Sequence, residues 1–350
     1  MKKILLGVSA VLTLAGSAFA QDVHFTQYFS SPLTLNPALT GLTQCDLRLS
    51  ANYRSQWSSV SSNPYTTAAL SFDLATLKGK LNNGDALGIG LLAMYDRSGI
   101  GALTSMNFGL SVAYHKALGY EKKHTISLGV QGVLVQKSID FNKLKFEDQF
   151  NPGSGLPEYT TSEGIGNNDL TYPDFNAGIM YSGHVSDHAT AYAGFSYYHL
   201  TRPVETFLKS GSGTGQHQIN ARYTTYLGGS FDLNENMVLY ASGLYQSQAS
   251  SSEVVLGAAV GFVMNPGYDA EYQRATIFYL GGWYRYGDAL SPYVALEWKK
   301  MKIGLSYDVN VSAFTPATKG NGAYELSVIF NGCINKRERG PVYNFACPKF

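Results

Sequence analysis

The side chains that most often carry chemistry form no catalytic pattern in this sequence. There is no Gly-x-Ser-x-Gly elbow, no phosphate-binding P-loop and no Gly-rich turn leading from a strand into a helix. His184 and His188 are four residues apart, a spacing that can bind metal on a helix. They flank a predicted tight turn, however, and further ligands are lacking nearby. We therefore expect no enzyme, no catalytic residues, no cofactor and no metal site.

Cysteine and charge usage narrow the function classes further. The three cysteines, Cys45, Cys333 and Cys347, form no Cys-x-x-Cys motif, so a zinc site has little support. One disulfide can form in an oxidising compartment, but the spacing does not choose the pair. Charged residues are 15% of the chain, against roughly 25% in soluble domains, and 26 basic residues balance 25 acidic ones. A nucleic-acid partner is not expected, since there is no basic field.

The first 20 residues have the features of a secretion signal. Lys2 and Lys3 precede an apolar run, and Ala18-Phe19-Ala20 is a small-x-small cleavage box. The apolar run is shorter than the roughly 20 residues of a membrane helix. We expect cleavage after Ala20 and export of the remaining chain. Since Gln21 follows the box, an N-terminal lipid anchor is not implied.

Alternation of apolar and polar residues is the dominant pattern after the signal. In residues 302–311, apolar side chains at odd positions oppose Lys302, Gly304, Ser306, Asp308 and Asn310. Segments of this kind often reach about 10 residues, which suits a tilted membrane strand better than a soluble strand of about 5–6. Alternation alone would also suit a soluble sandwich. Low charge, many Tyr and Gly residues and long segments favour an all-β fold, a transmembrane antiparallel β-barrel.

About 14 strands are predicted, an even number as single-chain barrels require. Their approximate spans are 47–57, 65–74, 86–97, 104–117, 124–138, 173–183, 189–201, 218–232, 237–249, 253–263, 275–286, 290–299, 302–311 and 322–333. The long connections 139–172 and 202–217 should be external on length alone. Periplasmic turns tend to be short, so tight turns should lie on the periplasmic side of the barrel. The tight turns are at 119–123, 184–188, 233–235 and 300–301. Our strand count does not place all of them on one side, so this check is only partial.

Charged residues on the polar face of these strands are expected to point inward, since Lys or Arg facing lipid at mid-membrane costs about 2–4 kcal/mol. Two interpretations are open: a lumen that selects solutes, or salt bridges inside a narrow, filled barrel, which we favour. The predicted lumen charges are Arg48, Arg54, Asp73, Lys137, Arg222, Asp232, Glu297, Lys302, Asp308 and Glu325.

The two ends of the exported chain differ from the strands between them. Residues 21–46 mix aromatic and apolar residues with an Asn36-Pro37-Ala38 turn, and are too apolar for a free tail. We predict a cap or plug packed in or under the barrel of residues 47–333. Residues 334–350 form a polar C-terminal tail, expected in the periplasm.

Motifs at these ends resemble the PorP/SprF family. The opening motif comprises Phe25, Gln27, Tyr28, Pro32, Leu35, Asn36, Pro37, Ala38 and Gly41, followed by Tyr53, Arg54 and Trp57. The closing motif comprises Cys347, Pro348 and Phe350. The resemblance implies an outer-membrane component of the type IX secretion system of Bacteroidota, similar in fold to fatty-acid-transporter barrels. Cys45 and Cys333 depart from what the family leads us to expect.

The resemblance implies partners rather than a reaction. Some members are linked to secretion and surface attachment of gliding adhesins through the adhesin's C-terminal domain, and others to the periplasmic ring of the secretion system. The alternative is an outer-membrane channel for small or hydrophobic solutes, and an outer-membrane enzyme ranks last. The loop 139–172, or the mouth of the lumen, is predicted to contact a secreted partner, because it is long and polar in a barrel of short loops.

Overall fold

The computed structural model describes residues 22–43, 45–78, 81, 84–119, 121–161, 167–207, 218–264 and 276–333. The predicted signal peptide, residues 1–20, lies outside these ranges. So do the predicted tail, residues 334–350, and with it Cys347, Pro348 and Phe350.

The described residues form fourteen antiparallel strands that close into one barrel, in which each strand pairs with its sequence neighbours and β1 pairs with β14. The strands are β1 Leu47–Gln56, β2 Tyr65–Thr76, β3 Ala86–Ser98, β4 Leu103–Leu118, β5 His124–Ser138, β6 Asp169–Ser186, β7 Ala189–Tyr198, β8 Arg222–Asn234, β9 Met237–Gln248, β10 Ser251–Val263, β11 Ile277–Arg285, β12 Ala289–Trp298, β13 Met301–Asn310 and β14 Asn321–Gly332.

The strands alternate between the two faces of the barrel wall. On β5, Thr125 and Ser127 are buried inside, whereas Leu128 and Val130 are 56% and 62% exposed on the outer face. Closure leaves no unpaired edge, so backbone groups at membrane depth are hydrogen-bonded within the wall. The alternation predicted from the sequence is thus that of a transmembrane barrel. In the described ranges, no helix is both long and apolar enough to cross a membrane.

The predicted fourteen-strand barrel is confirmed, and its strand limits differ by a few residues. The largest shifts are at the starts of two strands, since β6 begins at Asp169 rather than at residue 173 and β8 at Arg222 rather than at residue 218. Pro173 lies within β6. It is tolerated because β7 pairs with β6 only from Ala177 onward, so one side of the strand requires no ladder hydrogen bond there.

Connections of different length lie at opposite ends of the barrel. The turns at 119–123, 187–188, 235–236 and 299–300 share one end with residues 46 and 333, which we call the terminal end. The long connections 139–168 and 199–221 share the other, the loop end. Our expectation that the tight turns would not all fall on one side was wrong, because each follows an even-numbered strand. Outer-membrane barrels place long loops outside the cell, so the loop end is the outer end.

The lumen contains residues 22–43, which we call the inner segment. It forms a 3-10 turn at Tyr28–Ser30, a short helix at Pro32–Leu35 and a second 3-10 turn at Pro37–Leu39. The segment begins beside residues of the loop end and runs down to the start of β1 at the terminal end. Most of its side chains are buried against the inner wall.

Candidate functional site

Glu325 on β14 anchors the inner segment near its beginning. Its carboxylate accepts hydrogen bonds from the backbone N–H groups of Thr26 at 2.7 Å and Gln27 at 2.9 Å. The Gln27 side chain donates to Ser306 Oγ at 3.0 Å and accepts from Ser327 Oγ at 2.7 Å. All five residues are buried, so these bonds replace water for groups that would be costly to leave unpaired.

Two arginines surround this anchor and balance its charge. Arg54 on β1 contacts Glu325 and also lies 2.9 Å from Asp308, measured from Nη2 to Oδ2. Arg285 on β11 reaches the same Asp308 oxygen at 3.2 Å. Thr26 Oγ1 accepts a hydrogen bond from Arg54 at 3.0 Å, so the inner segment lies within the charge network. Since two cations and two anions are buried together, removing one would leave an uncompensated charge.

Asn36 fixes the middle of the inner segment. Its Oδ1 accepts from the Ala38 N–H at 2.8 Å, which closes the Asn-Pro-Ala turn. Its Nδ2 donates to the carbonyl oxygens of Ile179 at 3.1 Å and Phe195 at 3.2 Å. The side chain comes so close to β6 that a Cβ at Gly178 would lie 1.9 Å from Asn36 Oδ1. The absence of a side chain at Gly178 therefore leaves room for this turn.

The lower end of the inner segment is held by a second charge pair, in which Asp73 is buried and Arg48 is half-buried. Arg48 donates to Asp73 through Nε at 3.0 Å and Nη2 at 2.9 Å, a bidentate arrangement. Asp73 also accepts from the Gly41 N–H at 2.6 Å. Backbone contact is again close, because a Cβ at Gly88 would lie 1.9 Å from the Thr40 oxygen.

An aromatic layer fills the side of the lumen near β11 to β13. The Phe29 ring of the inner segment lies 4.7 Å from that of Trp283, between centroids. Lys302 Nζ lies 4.2 Å from the centroid of the Tyr279 ring, whose hydroxyl donates to Glu297 at 2.7 Å. Lys302 Nζ is thus buried over the ring faces of Phe29 and Tyr279, and forms no hydrogen bond among the described residues.

A disulfide closes the terminal end. Cys45, which lies between the inner segment and β1, is bonded to Cys333, which follows β14, with their Cα atoms 4.6 Å apart. Lys78 Nζ donates to the Cys45 carbonyl at 2.5 Å. The bond links residues 288 positions apart, and so ties the inner segment to both ends of the barrel sequence.

A charge cluster holds the start of the inner segment at the loop end. His199 lies between two carboxylates, with Nε2 2.7 Å from Asp22 and Nδ1 2.6 Å from Asp174. Burial alone would lower the pKa of His199, but these carboxylates outweigh it and raise the pKa to about 9. Burial would raise the pKa of Asp22, yet His199 and Arg222 hold it well below its usual range.

His24 lies in the inner segment itself, and its pKa is shifted in the opposite direction. Its Nε2 lies 3.1 Å from Glu253 on β10. Burial lowers the pKa of His24 to about 4. Glu253 acts to raise this pKa, but the positive charges of Arg285 and Arg54 act against it. His24 is therefore neutral at pH 7, whereas His199 is charged.

A cavity of about 540 Å³ lies above the inner segment and opens toward the loop end. We call it the outer cavity. Its floor includes Leu33 and Thr34 of the inner segment, and its walls come from β3 to β9 and from the connection after β7. The described residues show no cluster of three or more His, Cys, Asp or Glu side chains that could hold a metal ion.

The structure brings together most of the residues singled out in the sequence. Arg48 pairs with Asp73, and Arg54 with Glu325 and Asp308. The opening-motif residues that lie buried in the lumen are Phe25, Gln27, Tyr28, Pro32, Leu35, Asn36, Pro37 and Ala38, joined by Gly41.

Three predicted residues lie elsewhere. Tyr53 faces outward, 6.1 Å from Tyr324 between ring centroids. Trp57 follows β1 at the loop end and packs on Tyr65, with ring centroids 5.2 Å apart. Asp232 keeps the inward register of β8, but lies at the terminal rim with its side chain 46% exposed.

Several lumen charges escaped the sequence analysis. Arg285 and Glu253 lie on the inner face of predicted strands, so their register was the signal that could have found them. Asp174 is buried on the inner face of β6 within the predicted span 173–183, so its register was again the signal. Asp22 and His199 lie outside all the strands, where no periodicity marks an inward side chain.

The fold and its contents define a class, the outer-membrane β-barrel with an occupied lumen. Solved barrels with similar folds include the Ralstonia pickettii toluene transporter TbuX, at 12% identity over 86% of this chain and 92% of that one, with a TM-score of 0.49. The CymD monoaromatic hydrocarbon channel has 10% identity over 87% and 93%, with a TM-score of 0.47. At such identity the likeness concerns the fold alone.

Residues 17–330 match the family described as type IX secretion system membrane protein PorP/SprF. The chain belongs to this family, as its terminal motifs had indicated. It is accordingly an outer-membrane component of the type IX secretion system, and family and fold point to a membrane barrel component rather than to an enzyme. A comparison with curated proteins found no match.

Proposed function

We propose that this protein is a non-enzymatic, plugged accessory barrel that holds partner proteins of the type IX secretion system at the outer membrane. The inner segment acts as the plug. It is fastened near its beginning by Glu325, in its middle by Asn36 and at its end by Asp73. A barrel used in this way needs stable surfaces at its two ends rather than an open path between them.

The observation that carries the proposal is the buried contact of Glu325 with the Thr26 and Gln27 N–H groups. A solute path through this region would require the inner segment to leave. Departure would strip Glu325 of two charge-assisted hydrogen bonds, each worth about 1.5–3 kcal/mol. The arrangement supports a plug that stays in place while partners bind outside.

The two ends of the barrel suit different partners. At the loop end, we assign a secreted surface protein, such as the C-terminal domain of an adhesin, to the connection 139–168. Its described part exposes apolar side chains, of which Phe150, Leu156 and Tyr159 are examples. At the terminal end, ring components of the secretion system are the proposed partners. Exposed apolar side chains on an outer loop are typical of binding surfaces.

Uptake of small or hydrophobic solutes is the alternative function, and the apolar part of the outer cavity favours it. Planar-bilayer recordings of the disulfide-intact protein separate the two. We expect no steady conductance, because the inner segment closes the lumen. Stable open-channel currents from the unmodified protein would reject the plugged accessory function and support the channel.

Affinity purification from native outer membranes, after mild cross-linking, tests the partner directly. The wild type should retain a secreted surface protein, ring subunits or both. Replacing residues 141–161 by a short Gly/Ser linker should release the surface protein but keep ring subunits. A matched linker at residues 58–63, also at the loop end, should change neither. Absence of both kinds of partner from the wild type would refute the proposal.

A further inference from the structure

The wall of the outer cavity formed by β3, β4 and β5 is layered by strand register. Directly paired residues form rows that run across these three strands. From the mouth inward, the rows are Asp96, Ser105 and Lys137, then Met94, Asn107 and Val135, then Leu92, Gly109 and Val133. The wall therefore presents charge at its mouth and a mainly apolar band two rows deep beneath it.

The base of this wall is closed. Gln131, one row further down, donates to the Leu33 carbonyl of the inner segment at 3.2 Å and to Ser111 Oγ at 2.9 Å. A ligand that enters from the loop end therefore stops above Leu33. The volume, about 540 Å³, falls within the range of roughly 300–1,000 Å³ usual for ligand pockets.

The carboxylates around the outer cavity differ in whether they form ion pairs. Glu205 accepts from Lys137 Nζ at 2.7 and 2.8 Å and from the Tyr172 hydroxyl at 2.8 Å. Asp22 and Asp174 share His199. Each of these three carboxylates is therefore paired with a cation that also lines the cavity.

Asp96 differs from the other carboxylates of the outer cavity. Its Oδ1 accepts a hydrogen bond from Thr67 at 2.7 Å. Among the described residues, no Lys, Arg or His nitrogen lies within ion-pair distance of it. Its neighbours across the row are Ser105 and Lys137, whereas Met94, one row deeper on the same face of β3, is apolar. Asp96 is therefore a carboxylate without an ion pair of its own beside an apolar band, and Lys137 of the same row acts on it only at longer range.

We propose that the outer cavity receives a short extended segment of a partner protein, in which an apolar side chain stands beside a lysine or arginine. The apolar side chain fills the band between Met94 and Val135, and the cation pairs with Asp96. This rests on the proposed function, because it names the chemistry of the partner at the same end of the barrel.

Charge distinguishes this occupant from a fatty acid. The cavity wall carries four carboxylates, from Asp22, Asp96, Asp174 and Glu205, against the cations Lys137, Arg222 and His199. An added carboxylate head group would meet the excess negative charge at the mouth, whereas an added ammonium or guanidinium would relieve it. Asn107 also places a polar amide among the apolar rows, which suits a peptide backbone better than an alkyl chain.

Fluorescence anisotropy with the disulfide-intact barrel in lipid nanodiscs tests the proposal. The probe is a labelled, C-amidated Ser-Leu-Lys-Leu-Ser peptide, compared with peptides that carry norleucine or glutamate in place of lysine. We expect the lysine peptide to bind at least about tenfold more tightly than the other two, which corresponds to about 1.4 kcal/mol. Asp96→Asn should weaken lysine-peptide binding about tenfold and equalise the lysine and norleucine peptides.

Asp169→Asn is the matched control, because Asp169 is an exposed carboxylate at the start of β6 that does not line the cavity. It should leave all three affinities unchanged. Equal binding of the lysine peptide by wild type and Asp96→Asn would overturn the proposal. Saturable binding of laurate with no lysine-peptide binding would do so too, and would indicate an amphiphile pocket.

The same variant separates this inference from the proposed function. In purification from native membranes, Asp96→Asn should retain less of the surface protein than wild type, while ring subunits stay. If wild type and Asp96→Asn retain the surface protein equally, the cavity inference is wrong and the accessory function stands. If wild type retains neither kind of partner, the accessory function itself is wrong.

Discussion

Arg54 on β1 and Glu325 on β14 face each other directly across the seam where the barrel closes, and the two side chains form an ion pair. The same Glu325 carboxylate binds the backbone of the inner segment at Thr26 and Gln27. Barrel closure and placement of the inner segment therefore depend on one buried carboxylate. A change at this point should affect both together.

Glu325→Gln should destabilise the barrel by about 3–5 kcal/mol, because Asp308 alone would then face the two buried cations Arg54 and Arg285. The urea midpoint of the protein in lipid vesicles measures the loss. Hydrogen exchange at the Thr26 and Gln27 amides should rise in the same variant, since both lose a charged acceptor.

The control for this change is Asp169→Asn, which removes an exposed carboxylate and should shift the midpoint little. The double variant Arg54→Gln with Glu325→Gln should lose less stability than the sum of the two single changes, because both members of the pair are gone. Additive losses of stability, or unchanged exchange at Thr26, would contradict the conclusion that Glu325 serves both barrel closure and placement of the inner segment.

Gly178→Ala should displace the inner segment without breaking an ion pair. The new methyl group would lie 1.9 Å from Asn36 Oδ1, far inside van der Waals contact. We expect a loss of about 1–3 kcal/mol and faster proteolysis of the inner segment. Limited proteolysis followed by mass spectrometry measures the latter.

Removing the opposing side chain should restore the fit, so Asn36→Gly combined with Gly178→Ala should be less sensitive to protease than Gly178→Ala alone. Gly132→Ala is the control on the neighbouring strand, where a Cβ meets only the Phe175 ring at 3.5 Å. Equal protease sensitivity of Gly132→Ala and Gly178→Ala would show that glycine is not needed at position 178 to make room for Asn36.

The disulfide between Cys45 and Cys333 should make the barrel more stable under oxidising than under reducing conditions. Cys45→Ser should lower the free energy of unfolding by about 2–5 kcal/mol and abolish the effect of reductant. Non-reducing electrophoresis and peptide mapping measure the bond. Cys347→Ser should leave it intact, and loss of the bond in that variant would show a different pairing.

Alternation made the barrel predictable from sequence alone. On β13, for example, Lys302, Ser306 and Asp308 alternate with apolar residues that must face lipid, so a one-residue slip would bury charge in the membrane. The same rule placed Arg54 and Glu325 inside the barrel. The opening motif marked the inner segment, because its aromatic and Asn-Pro-Ala residues are too apolar for a free tail.

The contacts that define the candidate site were not predictable in this way. Register says that Asp96 points inward, but it does not say whether a cation lies beside it. The pairing of His199 with Asp22 joins a residue after β7 to one at the start of the inner segment, 177 positions apart. Such contacts arise from the path of the inner segment through the lumen, which no local pattern encodes.

His199 and His24 both help to attach the inner segment to the barrel wall, and they predict opposite pH limits for this attachment. His199, held by Asp22 and Asp174, has its pKa raised to about 9 from 6.5. Its contribution to stability is complete below pH 6.5 and is lost as pH rises through 9. His24, beside Glu253 and Arg285, has its pKa lowered to about 4, so its contribution is complete above pH 6.5 and is lost as pH falls toward 4.

Attachment of the inner segment should therefore weaken at both limits, and the two limits should respond to different substitutions. Hydrogen exchange of residues 22–29 between pH 4 and 10, corrected for the intrinsic pH dependence of exchange, measures attachment. His199→Gln should remove the change between pH 6.5 and 9, and His24→Gln the change between pH 4 and 6.5. His188→Gln is the control, because His188 is exposed at the opposite end of the barrel. An alkaline limit that survives in His199→Gln would show that a group other than His199 causes the loss of attachment.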